Sequence, residues 1–369
     1  MSKIYIILPN FAGGGAEKNL VLLANFLQEQ ALNDVSVVVF RNEGPSSKYL
    51  SSSIEIIDLN IVSFKFVIFH ALKILRVVKG SRVVTSMFHM NILLCLLKSF
   101  GCFLRKDFYL IIREANTTSK ELDNLSRFRA IAFKSLIKNF YKKANKIVAV
   151  SNYVRADLLD HFDICSDLIT VINNPMHGRL SFIAGKVVDI KTAHKRGLNL
   201  IAVGRLVPQK DFFEAVRVVF YLNTVMEVSL RIVGSGPQRE SLVRYARSLS
   251  IGSKVTFQDY SHDLTSIMLK CDALIATTRW EGFPNIFLDA LKCGLPIVVR
   301  KDVSGVDEIV ISGKNGIVVD GVEVKSFSDG IQKLLKEPML RSDIQRDVAK
   351  FEVHKLYSEY NILLNNRSF

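Results

Sequence analysis

The sequence predicts an α/β protein built of two parallel-sheet domains, and three observations carry that prediction. Short apolar runs alternate with helix-spaced amphipathic segments from the first residues onward. The alternation stops over a polar, irregular stretch, 178–196, and then begins again. The length of 369 residues exceeds one average domain and suits two, each with a core of its own.

Taken in order, residues 4–8 (Ile-Tyr-Ile-Ile-Leu) read as a strand, 16–28 as the helix behind it and 35–40 as a second strand. Residues 82–86 and 109–112 are later strands of the same series. Lys146 to Asn152 is a strand that ends at a helix cap, with 154–161 as the helix, and Ile169 to Pro175 is a last short strand and turn. After the linker come a strand at 198–204, a helix at 212–222 and a strand at 228–234. A strand at 255–257, a short buried strand at 272–276 and a helix from Asn285 to Leu291 continue the second series. No repeat of solenoid period interrupts either half.

The net charge is +14, and its location matters more than its size. Between Ile61 and Lys146 there are 17 Lys and Arg against 4 Asp and Glu, so this segment carries +13. Phenylalanines such as Phe64, Phe66, Phe69, Phe100, Phe103 and Phe128 are interleaved with the cations. The apolar runs here, such as 92–97, are far shorter than the roughly 18 to 20 residues that span a bilayer. A basic, aromatic surface of this kind suits an anionic leaflet. No helix-turn-helix, RRM-type or zinc-finger pattern accompanies the charge, which argues against nucleic acid as partner; solvated faces of amphipathic helices are the plainer alternative. The five cysteines show no CxxC pair or metal-ligand spacing and read as thiols of a reducing compartment. The first residues enter a strand directly, without the pattern of a signal peptide, so a cytoplasmic location is expected.

Three local patterns could carry chemistry. Gly13-Gly14-Gly15-Ala16-Glu17 follows the first strand and opens a helix, so its main chain can approach a ligand while the helix start presents amides. Arg205 and Lys210 flank a turn at the end of the second series' first strand. Glu281 and Asp289 stand eight positions apart around Gly282-Phe283-Pro284-Asn285, a turn that opens a helix. Gly234, in Gly234-Ser235-Gly236, lacks the third glycine and ribose-binding acid of a dinucleotide fingerprint. No Asp-x-Asp pair occurs, so no metal is expected.

The carboxylate turn, the glycine turn and the Arg205 to Lys210 loop together resemble the retaining glycosyltransferases of family four, of the GT-B fold. That fold has two facing Rossmann-like domains with an interdomain cleft. The family signature is Glu, seven residues, Glu; here the second position is Asp289, a shorter carboxylate, and the preceding Thr277-Thr278-Arg279-Trp280 also departs from the usual approach. Pro284-Asn285 matches a branch common among surface-polysaccharide enzymes.

The resemblance implies an N-terminal acceptor-side domain at 1–177, a linker at 178–196, a nucleotide-sugar-binding domain at 197–350 and a terminal helix, 351–369, crossing back to the first domain. It implies transfer of a hexosyl or N-acetylhexosaminyl group from a nucleotide-diphosphate sugar, UDP-sugar favoured, to a lipid-linked glycan on a polyprenyl diphosphate. The setting would be O-antigen or capsule assembly, with the enzyme peripheral on the inner face of the cytoplasmic membrane. Glu281, Arg205 and Lys210 are the catalytic candidates by this likeness, with His89, from a Met-Phe-His-Met-Asn run, as a fourth. Gly14, Gly15, Gly234, Asp259, Tyr260, Gly282, Phe283, Asn285, Ile286 and Asp289 would hold the donor, and Glu17, Arg113 and Glu114 are acceptor-side candidates. No cofactor is implied, since the nucleotide sugar is a substrate. A sugar-nucleotide epimerase of the same fold and a non-catalytic sugar-nucleotide-binding subunit are the rival readings.

Overall fold

A computed structural model describes residues 3–30, 34–61, 70–178, 180–183, 185, 189–259, 263–321 and 323–365. Tyr260, Phe64, Phe66 and Phe69, singled out above, lie outside the described residues. The chain divides into two compact units, Met1–Asn174 with Val353–Phe369, and Pro175–Glu352.

The first unit holds a seven-stranded, all-parallel sheet of β1 (Ile4–Leu8), β2 (Val35–Val39), β3 (Glu55–Asp58), β4 (Arg82–Ser86), β5 (Tyr109–Glu114), β6 (Lys146–Ala149) and β7 (Ile169–Val171). Its order is β3-β2-β1-β4-β5-β6-β7, with Ile6 opposite both Val37 and Val84. β1 and β2 are buried along their whole length and, Ser36 of β2 apart, are the near-continuous apolar runs of a doubly covered parallel sheet, whereas the edge strand β3 is largely exposed. The chain runs outward from β1 to β3 and then returns to the other side of β1, so the strand order reverses between β1 and β4.

The last helix, Val353–Asn365, belongs to this unit. It packs on the helix Gly15–Glu29, where the Phe26 ring meets those of His354 and Tyr357 at 5.4 and 5.5 Å and the Tyr357 hydroxyl donates to the Asn19 carbonyl at 3.0 Å.

The second unit repeats the plan with six parallel strands: β8 (Leu198–Val203), β9 (Val228–Val233), β10 (Val255–Gln258), β11 (Ala273–Ala276), β12 (Ile297–Arg300) and β13 (Gly316–Val319). Their order is β10-β9-β8-β11-β12-β13, so the reversal falls between β8 and β11. The two ends of this unit lie side by side: Met176 bridges Glu352, and the Met176 amide donates to the Phe351 carbonyl at 2.7 Å. The stretch read from its polarity as irregular contains a helix, Ile190–Arg196, which corrects that expectation. Asp189 caps it by accepting from the Thr192 amide at 2.8 Å, and Gly197, at φ +82°, ends it. An aspartate and a glycine bracketing seven residues were the available signal.

Arg113 and Glu114, neighbours on β5, leave opposite faces of the sheet, and both are buried. The Arg113 guanidinium donates to Ser86 Oγ at 3.1 Å and to Asn174 Oδ1. Glu114 accepts from the Tyr141 hydroxyl, from Thr118 Oγ1 at 2.8 Å and from Asn91 Nδ2. Burial nevertheless pushes its carboxyl up to about 7, because desolvation of the anion outweighs the three donors. A carboxyl held above its unfolded value contributes stability that is complete below the ordinary carboxylate range and is lost as pH rises through about 7. The urea midpoint of the parent should therefore fall across that window, and Glu114→Gln should flatten the fall; an equal decline in both proteins would assign the dependence elsewhere.

Candidate functional site

In an open parallel sheet, the loops leaving neighbouring strands on either side of a reversal diverge and leave room for a ligand at the carboxyl ends of the strands. In the second unit these are the loops after β8 and β11, which carry Arg205, Lys210 and Glu281. Sequence positions about seventy apart are thus brought together: Lys210 Nζ donates to Glu281 Oε1, with the two side chains only 17% and 13% exposed. Thr278 Oγ1 lies 3.1 Å from the same oxygen. Lys210, Thr278 and Glu281 line a pocket with Val203, Thr277 and Ile286. Arg205 is exposed nearby in sequence, and among the described residues its guanidinium has no ion-pair partner.

The two loops are stitched to each other along their length. Thr277 Oγ1 bonds the carbonyls of Lys210 and Asp211 at 3.1 and 2.9 Å. The Arg279 amide donates to the Gln209 carbonyl at 2.8 Å, and Gln209 Nε2 returns a bond to the Trp280 carbonyl at 2.8 Å. Asp211 stands at the start of the helix Phe212–Leu222 in the left-handed region, φ +46°, without capping that helix through its side chain. Its carboxylate instead takes Arg279 Nε at 2.9 Å. Sequence reasoning missed this clasp of Gln209, Asp211, Thr277, Thr278 and Arg279. Its only local signal was a pair of hydroxyl residues between a buried strand and a glutamate.

After Glu281 the chain enters the helix Asn285–Lys292 with Pro284 as its cap residue, and the Phe287 amide donates to the Pro284 carbonyl at 2.9 Å. Phe283 is buried edge-on to Phe351, with ring centroids 5.5 Å apart, and Gly282 is buried beside it. Phe287, Leu288 and Leu291 face the core, which leaves the half-buried Asn285, Ile286 and Asp289 on the other side, with Asn285 and Asp289 one turn apart. Asp259, following β10, is exposed and forms an ion pair with Arg239 at 3.7 Å.

Gly234 has a packing reason to be glycine. At φ +144°, a Cβ there would stand 1.9 Å from the Gly204 carbonyl oxygen, so the loop after β9 rests its backbone directly on the loop that leads to Arg205.

In the first unit the reversal lies between β1 and β4, and the turns and helix starts that follow these strands carry Gly13 to Gly15 and His89. Gly14 is the cap residue of the helix Gly15–Glu29, and a Cβ on it would fall 2.4 Å from Glu17 Oε2, so the Glu17 carboxylate folds back over the helix start. Ser46 Oγ donates to the Ala12 carbonyl at 2.7 Å and its amide to the Phe11 carbonyl at 2.9 Å, which holds the glycine turn from a second loop. Met87 precedes the helix Phe88–Phe103 at φ +77°, a strained conformation for a side-chain-bearing residue. His89, in the first turn of that helix, is half-buried with its ring edge-on to Phe88 at 5.6 Å, and burial lowers its pKa, favouring the neutral imidazole. Arg113 and Glu114 lie one strand beyond, buried among protein partners.

Gly234→Ala should cost about 2–4 kcal/mol, the range of a backbone clash combined with an unfavourable φ. Urea denaturation measures it; a midpoint equal to the parent's would mean that the loop after β8 yields.

Residues 13–177 match the family described as Glycosyltransferase Family 4, and residues 189–351 match Glycosyl transferases group 1. Over 351 residues the chain is 24% identical to the N-acetylgalactosamine-N,N'-diacetylbacillosaminyl-diphospho-undecaprenol 4-alpha-N-acetylgalactosaminyltransferase of Campylobacter jejuni subsp. jejuni serotype O:2, with 92% of each chain covered. Among solved structures, Anabaena HepE in complex with UDP and glucose matches 99% of both chains with a TM-score of 0.77 at 16% identity. The apo lipopolysaccharide outer core galactosyltransferase WaaB matches 97% of this chain and 98% of its own, with a TM-score of 0.73 at 18% identity. With a family-four domain followed by a group-1 domain on two parallel Rossmann-like sheets, the chain is a glycosyltransferase of the GT-B fold.

Proposed function

We propose that the chain is a metal-independent, retaining glycosyltransferase that moves a hexosyl or N-acetylhexosaminyl group from a UDP-sugar to a hydroxyl of a polyprenyl-diphosphate-linked glycan in bacterial surface-polysaccharide assembly. The observation that carries this reading is the half-buried Lys210–Glu281 pair at the β8/β11 reversal, in the same loops as the exposed Arg205. The diphospho-undecaprenol in the name of the Campylobacter relative supports the acceptor class, and the UDP and glucose bound by HepE support the donor.

Glycosyl transfer places positive charge on the anomeric carbon and negative charge on the departing phosphate. Arg205 and Lys210 supply cations for the diphosphate, the first as a planar fork and the second as a point charge. Lys210 already shares its ammonium with Glu281, so the carboxylate keeps that ammonium within the pocket rather than in solvent. Glu281 receives sugar hydroxyls and Asp289 the ribose. Amides of Phe283, Asn285 and Ile286 at the helix start hold sugar or phosphate oxygens, while Pro284 donates nothing. Gly14, Gly15, Glu17 and His89, at the first unit's own reversal, are assigned to the acceptor side, His89 as a neutral imidazole. The +13 segment of the first unit is assigned to the anionic inner face of the membrane that presents the lipid-linked acceptor.

Incubation of the purified protein with a panel of nucleotide sugars and a polyprenyl-diphosphate glycan tests the reading. A lengthened glycan of retained configuration is expected; an isomerised donor would make it an epimerase, and binding without turnover a non-catalytic subunit. Glu281→Ala and Arg205→Ala should each lower turnover by about 100-fold or more in folded protein, the scale of one lost preorganised contact. Parent-like turnover in both would overturn the site assignment. Excess EDTA should leave the rate unchanged, and loss that Mg²⁺ or Mn²⁺ restores would contradict metal independence.

A further inference from the structure

The helix Arg127–Phe140 is anomalous in two ways. Fourteen residues long, it buries only Ile137 completely, while Phe128 is 87% exposed and Ile131 61% exposed. A helix on a globular unit ordinarily sinks an apolar stripe into the core and turns polar residues outward; this one displays two of its larger apolar groups to solvent.

The second anomaly is electrostatic. The first turn carries Arg127 and Arg129 and no acid, so two cations sit at the positive end of the helix dipole, where they oppose helix formation. Among the described residues neither guanidinium has an ion-pair partner. The contrast with Phe103 is instructive. Phe103 is also exposed, and Arg105 and Lys106 follow it, but those cations stand at a helix C-terminus, where the dipole favours them. The helix dipole does not oppose those two cations, as it does Arg127 and Arg129. Further along the same helix Ile131, Lys134, Lys138 and Asn139, with Lys142 just beyond, line an open groove that Asp163 borders by pairing with Lys138.

We infer that Arg127, Phe128, Arg129 and Ile131 form a wedge that enters the headgroup layer of an anionic bilayer, the two arginines engaging phosphates while Phe128 and Ile131 reach the acyl boundary. Charge complementarity selects the occupant: a cationic rim around exposed apolar groups matches an anionic interface, and among the described residues no helix is long and apolar enough to cross a membrane. The lysines of the groove lie one to three turns further along and add long-range attraction without insertion. This inference rests on the membrane reading above and refines it from attraction to partial insertion at one helical turn.

The test uses the full chain with vesicles of phosphatidylcholine alone or containing phosphatidylglycerol. The sequence has one tryptophan, Trp280, so the emission of Phe128→Trp minus that of the parent reports position 128. A blue shift on the anionic vesicles only is expected. Phe128→Ser with Ile131→Ser should weaken binding by about tenfold or more while binding keeps its salt dependence, since burial of such groups is the non-electrostatic part of interfacial affinity. Replacement of Lys134, Lys138, Lys142 and the adjacent, exposed Lys143 by Gln should reduce binding yet leave the blue shift in the fraction that binds. Circular dichroism and hydrolysis of soluble donor confirm that each variant is folded. If the parent prefers anionic vesicles while the serine variant binds equally well and the Phe128→Trp difference emission does not shift, the wedge is wrong and the membrane reading stands on the lysines. If the parent shows no preference for anionic vesicles, both fall.

Discussion

A parallel sheet cannot connect adjacent strands by tight turns, and this single constraint organises both halves of the molecule. Each crossover must pass over a face of the sheet, the chain must reverse direction once to fill both sides of its first strand, and the loops at that reversal are left apart. β1 and β4 in the first unit, and β8 and β11 in the second, occupy those positions. The glycine turn with His89, and Arg205 and Lys210 with Glu281, follow from this placement. At the second reversal the protein also closes part of the space it opens: threonine hydroxyls, a glutamine amide and the Arg279–Asp211 pair bind one loop to the other, so that the Lys210 ammonium and the Glu281 carboxylate are held by backbone anchored on both sides. Preorganisation of this kind is what electrostatic catalysis requires.

Much of this was legible in the sequence where the information is local. β1 coincides with the run 4–8 because a strand buried on both faces must be apolar at nearly every position, and in β4 the β-branched run Val83-Val84-Thr85 marks 82–86. The edge strand β3 has no such requirement on its exposed residues, and Glu55-Ile56-Ile57-Asp58 carries little strand signal. The glycine, Arg205 to Lys210 and Glu281 to Asp289 patterns were readable because each lies within one turn or one helix start. The clasp was not, since Thr277 and Lys210 meet across 67 positions and nothing near either residue announces the other. The partners of Arg113 and Glu114 were equally hidden: a serine, two asparagines and a tyrosine from distant positions surround them in the packed structure, and nothing beside the two residues in the chain announces them.

The glycines of the second unit show how a packing requirement alone can fix a residue type. Gly234 and Gly236 are glycine because Gly204 and Leu206 leave no space for a Cβ, irrespective of any ligand. The same close approach fixes the loop that ends in Lys210, so a substitution there would reach Lys210 and its partner Glu281 through the backbone without touching either. Met87 is the opposite case, a side-chain-bearing residue kept at positive φ immediately before the helix that presents His89.

The second unit is an insertion within the first: the chain leaves after Asn174 and comes back at Val353. Because Met176 and Glu352 are bridged, the excursion of well over a hundred residues begins and ends at one point, and to the first unit it is equivalent to a short loop. During synthesis the order is forced. The face of the helix Gly15–Glu29 that Tyr357 will cover remains bare until the whole second unit has left the ribosome, so an N-terminal sheet made first is the part of the molecule finished last.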